Sequence, residues 1–149
     1  PTTIGQGMNC MVSNNFVKQR DKKEIEYIFE NSGLVIWLRS ENEIDMATAV
    51  SGSGPGFVFN LIDAMIISAK KLGFSNKVSK TLVYQTFKGS IDLLIQSKSE
   101  AYELVQKVAT KGGTTEAGLK MMNQRKIQNI FNDTVKSSYK RAKKQGELK

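Results

Sequence analysis

The chain has 149 residues, 40% of them apolar and 24% charged, enough apolar content for a packed core and too much for a long disordered segment. It contains no histidine and a single cysteine, Cys10. This composition excludes a His-based triad, a His acid/base, a His-ligated metal, a Cys-rich zinc site and a disulfide framework, and no metal is expected. The net charge of +8 raises nucleic acid or phosphorylated ligands as partners, but the lysines are scattered, so a solvated basic surface is the favoured reading.

No apolar run reaches the roughly 18 residues of a membrane span. The opening PTTIGQGM lacks the basic stretch and apolar core of a signal peptide. The expectation is a reduced, cytoplasmic protein with no membrane partner. Charge divides the chain in two. Residues 1–45 carry five basic and seven acidic side chains, and residues 46–149 carry seventeen and seven.

In chain order, Met8–Val12 reads as a short strand. Asp21, with Glu24 three positions on, reads as a helix-capping box. Ile25, Ile28 and Phe29 follow at helical spacing, and Gly33 ends the helix. Leu34–Leu38 is an apolar, β-rich run and reads as a strand. A strand, a helix and a strand cannot cover both faces of a sheet, so residues 1–45 read as the end of a larger α/β domain.

From about residue 46 the pattern is helical. Pro55 suits a first helical turn. The segment from Phe57 to Leu72 is apolar over nearly its whole circumference, which calls for cover on several sides and points to a partner subunit. Ser75 caps a helix running to about Ser97. Shorter helices follow over about 100–109, then from a cap at Thr114 or Thr115, then from about Arg125 into the lysines near 144. The expected architecture is mainly α: an all-helical domain of about six helices over 46–149, preceded by a strand–helix–strand portion of a Rossmann-type domain.

Two segments carry chemical information. Ser51-Gly52-Ser53-Gly54-Pro55-Gly56 is a Gly/Ser loop opening into a helix, where small residues let an anion or a flat ring approach the backbone. Read alone, a plain helix-opening turn is the favoured reading. Its glycines do not fall as GxGxxG, and no Lys-Ser/Thr follows, so it is neither a Rossmann nor a Walker fingerprint. Thr110-Lys111-Gly112-Gly113-Thr114-Thr115-Glu116 also places two glycines before a helix start, where free N–H groups suit a carboxylate. Read alone, a threonine cap after a flexible link is the favoured reading.

Together, TAVSGSGPGFVF, YQTFKGS and VATKGGTTEAGL resemble, in order and spacing, the motifs TAxSGSGPAYxF, AxQTxxGA and VxSPGGTTxxGL of the pyrroline-5-carboxylate reductase family. Residues 1–45 resemble the end of that family's dinucleotide-binding domain, and the glycine turn that holds the cofactor pyrophosphate is not among the 149 residues. The resemblance implies an oxidoreductase of proline biosynthesis that uses NADPH or NADH to reduce 1-pyrroline-5-carboxylate to L-proline. It implies a homodimer or higher oligomer, and an imino acid as small-molecule partner.

By motif, the substrate-binding residues would be Thr110, Lys111, Gly112, Gly113, Thr114 and Thr115, with the amides of Gly112, Gly113 and Thr114 on the carboxylate. Thr115 would be the catalytic contact to the ring nitrogen. Ser51, Gly52, Ser53, Gly54 and Pro55 would shape the cofactor side. Several positions depart from the pattern: Thr110-Lys111 replaces Ser-Pro, Gly56 replaces Ala, Ala101 replaces Pro, and Lys126 stands at a usual glycine. A non-catalytic dimeric remnant of the family is the alternative. A basic helical nucleic-acid module ranks lower, since neither loop serves it.

Overall fold

The structure, a computed structural model, describes residues 1–147. Strands β1 (Gly7–Met11) and β2 (Gly33–Trp37) pair in parallel, from Gly7 opposite Gly33 to Met11 opposite Trp37. Helix α1 (Gln19–Phe29) joins them, and the Leu38 amide extends the ladder to the Met11 carbonyl at 2.7 Å. The first register position consists of two glycines because the backbones nearly touch there. A Cβ on Gly33 would lie 2.1 Å from the Gly7 carbonyl oxygen, and the Gly33 φ of 138° is one that side chains resist. α1 is tied to β2 through Trp37, whose indole N–H donates to Glu26 Oε1 at 2.6 Å. The Lys22 ammonium lies 4.7 Å from the Trp37 ring centroid. Leu34 and Ile36 on the same strand remain exposed, as expected of a parallel sheet with one face uncovered.

Asp21 is not the cap residue that the sequence pattern suggests. It is the third residue of α1, and its carboxylate accepts from the Lys18 amide at 2.9 Å, so the helix begins three residues earlier than the pattern places it. Glu24 lies 3.9 Å from Arg20 instead.

A helix that sequence periodicity misses, α2 (Glu41–Ala47), starts at Ser40, whose hydroxyl accepts from the Glu43 amide at 3.3 Å. It runs through a π-helical turn at Thr48–Gly52 into α3 (Gly54–Lys71). The combined stretch Glu41–Lys71 contains an 18-residue window with a mean hydropathy of 1.3 and is long and apolar enough, by length and composition, to cross a membrane. Counting uninterrupted apolar runs overlooks it, because small polar residues break the run without breaking the helix. Gly73, at φ 106°, ends α3. Ser75 caps α4 (Asn76–Ser97) as expected. α5 (Ala101–Val108), α6 (Thr114–Gln124) and α7 (Ile127–Gly146) complete the chain.

The chain forms two compact units, Pro1–Phe57 with the chain from Asn132 on, and Val58–Phe131. In the first, Ala49 and Ala142 are buried; in the second, Ile66 and Val83. The second unit leaves large apolar side chains exposed along α3 and α4, among them Phe59, Met65, Ile67, Leu82, Ile91 and Ile95. The total accessible surface is 12,005 Å². A self-contained chain of 16.6 kDa exposes about 7,600 Å².

Among the described residues, two that are not glycine take left-handed backbone conformations, Lys98 at φ 52° and Lys126 at φ 53°. Lys126 stands where the resembling motif has glycine, and the angle supplies the reason for that glycine. A side chain there costs about 1 kcal/mol. Lys126→Gly is therefore expected to raise stability by about 0.5–1 kcal/mol in urea unfolding. No gain would mean that the lysine side chain offsets its own backbone strain.

Candidate functional site

The Ser51–Pro55 segment is built from small residues whose hydroxyls are turned inward. The Ser53 amide donates to the Thr48 carbonyl at 2.8 Å, the five-residue reach of a π turn. The Thr48 hydroxyl donates to the Ile44 carbonyl at 2.8 Å, and the Ser51 hydroxyl to the Ala47 carbonyl at 2.9 Å. Cys10 Sγ on β1 is 4.0 Å from Ser51 Oγ. Ser53 Oγ lies 2.7 Å from Ser138 Oγ of α7.

This differs from the expected loop opening freely into a helix. The segment is a π turn between two helices, and the amides of Ser53, Gly56 and Phe57 are all engaged within it. It offers surface more than hydrogen-bond donors. Gly54 and Gly56 are the positions where that surface is open: a Cβ on either would meet nothing within 4 Å. Nothing in the chain's own packing requires these glycines.

The second segment lies in the other unit. Gly112, at φ 74°, makes the left-handed turn out of α5. Gly113 then caps α6 with extended backbone, and its own amide donates to the Thr110 carbonyl at 2.9 Å. A Cβ on Gly113 would sit 2.6 Å from Thr110 Oγ1, so glycine is required by the tightness of the turn. The Gly112 amide donates to Glu116 Oε2 at 2.7 Å. Neither threonine hydroxyl caps the helix, contrary to expectation. Thr114 and Thr115 are its first two residues.

Of the three amides that the motif assigns to a carboxylate, those of Gly112 and Gly113 are engaged inside the loop. The open donors of the first turn are those of Thr114, Thr115 and Glu116, as at any helix start. Thr115 lines an apolar cavity of about 320 Å³ with Leu94, Leu104, Val105, Val108 and Leu119. Gly112 and Gly113 line a neighbouring, more polar cavity of about 660 Å³ with Gln106, Glu116, Lys120 and Asn123. Lys111 is exposed. Thr115 thus borders an apolar cavity, and Glu116 borders a more polar one together with the two glycines. Sequence reasoning missed Glu116 and Ser138. Glu116 was legible, standing three residues after the cap; Ser138 carried no signal.

A family profile described as pyrroline-5-carboxylate reductase dimerisation matches residues 41–145. The chain belongs to the pyrroline-5-carboxylate reductase family. It is 30% identical over 142 residues to the pyrroline-5-carboxylate reductase of Pseudomonas aeruginosa, covering 95% of this chain and 52% of that protein. It is 34% identical over 105 residues to pyrroline-5-carboxylate reductase 2 of Bacillus subtilis, covering 70% and 38%. Among solved structures it matches the Plasmodium falciparum pyrroline carboxylate reductase with NADP bound at a TM-score of 0.91 and 32% identity, over 98% of this chain and 59% of that one. The Coxiella burnetii pyrroline-5-carboxylate reductase matches at a TM-score of 0.87 and 30% identity, over 92% and 51%. The chain spans about half the length of the curated relatives it matches. The mainly helical fold with a short parallel α/β portion is that of this family.

The corrected cap carries its own test. A threonine that caps a helix loses about 1 kcal/mol on replacement by alanine. Because neither hydroxyl caps α6, Thr114→Ala and Thr115→Ala are each expected to change unfolding stability by less than about 0.5 kcal/mol. Glu116→Ala, which removes a charged acceptor at a helix start, is expected to cost about 1 kcal/mol. The reverse ranking in denaturant melts would restore the threonine cap.

Proposed function

We propose that the chain is the dimer-forming, substrate-carrying portion of a cytoplasmic pyrroline-5-carboxylate reductase, which reduces the C=N bond of 1-pyrroline-5-carboxylate to give L-proline. The family profile over residues 41–145 is the observation that carries this reading. Thr114, Thr115 and Glu116 present open amides to the substrate carboxylate, and Gly112 and Gly113 shape the turn that exposes them. Thr115 places its hydroxyl at the ring nitrogen against the apolar wall of Leu104, Val105 and Leu119. Lys111 adds positive charge near the carboxylate.

A bound NADPH or NADH supplies the hydride for the C=N carbon. Ser51–Pro55 would lie against its nicotinamide end, where the uncovered positions of Gly54 and Gly56 leave room for a flat ring. No histidine is needed, because orienting the imine and delivering a proton from a hydroxyl or water suffices. A non-catalytic carboxylate-binding relative is the second reading, favoured by the Glu116 carboxylate already on the Gly112 amide.

Proline or pyrrole-2-carboxylate is expected to bind weakly, and calorimetry or NMR titration reads it. Thr115→Val and Lys111→Glu are expected to weaken binding several-fold, and Thr114→Val less, since its amide does the work. No binding up to tens of millimolar would sink the assignment of this loop.

The exposed apolar surface of α3 and α4 leads us to assign a homodimer. A membrane is the competing cover for Glu41–Lys71, but the small polar segment at its middle, fixed to Ser138, suits a protein surface better than lipid. Light scattering is expected to give a dimer at micromolar concentration. Ile66→Asp is expected to aggregate or unfold. A folded monomer, or flotation with neutral vesicles, would refute the dimer.

A further inference from the structure

The Ser53–Ser138 hydrogen bond joins the Gly/Ser segment to α7, the final helix of the chain's described residues. Three observations show how α7 is seated. Ser138 Oγ is 2.7 Å from Ser53 Oγ. A Cβ on Gly146 would lie 3.9 Å from Asp45 Oδ1. The Tyr139 hydroxyl donates to Asn42 Oδ1 at 2.6 Å. Asp45, Ala49 and Ser53 recur at every fourth position, as do Ser138, Ala142 and Gly146, and the two alanines midway are both buried. The two helical segments therefore run antiparallel along matched small residues, and Ser53–Ser138 closes one end of that seam.

That end is the one with chemical consequence. Ser53 immediately precedes Gly54, the first position whose missing Cβ faces open space. The other hydroxyls of the segment are spent on local carbonyls one turn back. Ser53 reaches α7, 85 residues away, at 2.7 Å, whereas Ser51 has only the longer 4.0 Å contact to Cys10 outside its own helix. A π turn is a sparsely used backbone geometry that persists where surrounding contacts impose it. The bond also bounds a cleft of about 580 Å³ lined by Phe57, Asp133, Ser137, Ser138 and Arg141.

We infer that Ser138 is a positioning residue for the cofactor side of the site: through Ser53 it holds the π turn in the form that keeps the Gly54 surface open to the nicotinamide ring. This rests on the reading of Ser51–Pro55 given above. Ser138 touches no reacting atom, and its influence passes through Ser53.

The test uses the isotope-labelled chain, first without ligand. Ser138→Ala is expected to speed hydrogen exchange at the Ser53 amide about fivefold, the equivalent of one hydrogen bond. Ser138→Thr, which keeps a hydroxyl, is expected to restore the wild-type rate. Ser53→Ala should reproduce the effect, and the double variant should add nothing further. Unchanged exchange at Ser53, or equal acceleration in every helix, overturns the inference.

Reduced nicotinamide mononucleotide is then titrated, reading the amides of residues 51–55. Ser138→Ala is expected to weaken that response several-fold while leaving pyrrole-2-carboxylate binding at Thr114–Thr115 unchanged. A wild-type response that Ser138→Ala leaves intact overturns the positioning role alone. No wild-type response overturns the cofactor reading of the segment, and the positioning role with it.

Discussion

Apolar helix surface that the chain does not cover is the constraint on which the other features depend. α3 and α4 present phenylalanine, isoleucine, leucine and methionine around more of their circumference than the remaining helices of their unit can reach. Burial of such side chains is the main favourable term in folding, at about 25 cal/mol per Å². A sequence that places them at exposed positions has therefore been shaped for a surface outside itself. The mixed character of α3 follows: an apolar stripe for cover, and small residues at its start where close approach matters.

Glycine is used for three separate physical reasons. Gly7 and Gly33 let two parallel strands approach until their backbones nearly touch. Gly112 and Gly113 make the turn before α6, one by a left-handed angle and one by lack of room beside Thr110. Gly54 and Gly56 answer to nothing in their own chain. Only the last kind points outward, and it coincides with the segment whose hydroxyls are all turned inward. The segment is held from beneath by its hydroxyls and open above at Gly54 and Gly56.

The segment before α6 shows a different division of labour. Its glycines, read from sequence as amide donors, are consumed in building the turn, and the donors left over belong to the residues after them. Glu116 completes the turn by placing a carboxylate where the chain itself has an unsatisfied amide. That contact restrains the loop and shows that the loop accepts a carboxylate oxygen. Lys126, in an angle suited to glycine, is the counterexample: a local cost that the tertiary structure tolerates.

Much of this was legible in the residue order. The strand–helix–strand opening, the Ser75 cap, the end of α3 at Gly73 and the glycine turn before α6 follow from local chemistry, because each depends on residues within one turn of each other. The family was legible too, since three motifs in order are a local pattern repeated along the chain. What the order did not disclose was whatever depended on distant partners. Asp21 and Thr114 sit in cap-like patterns, but a helix begins where the whole set of backbone bonds is best satisfied, and a pattern shifted by a few residues looks equally good. The π turn inside a continuous helix was hidden because nothing in Thr-Ala-Val-Ser-Gly requires it. It lies beside the point where Ser138 meets Ser53 across 85 residues. Periodicity shows which face of a helix is apolar, whereas tertiary structure alone decides which remote side chain comes to rest against it.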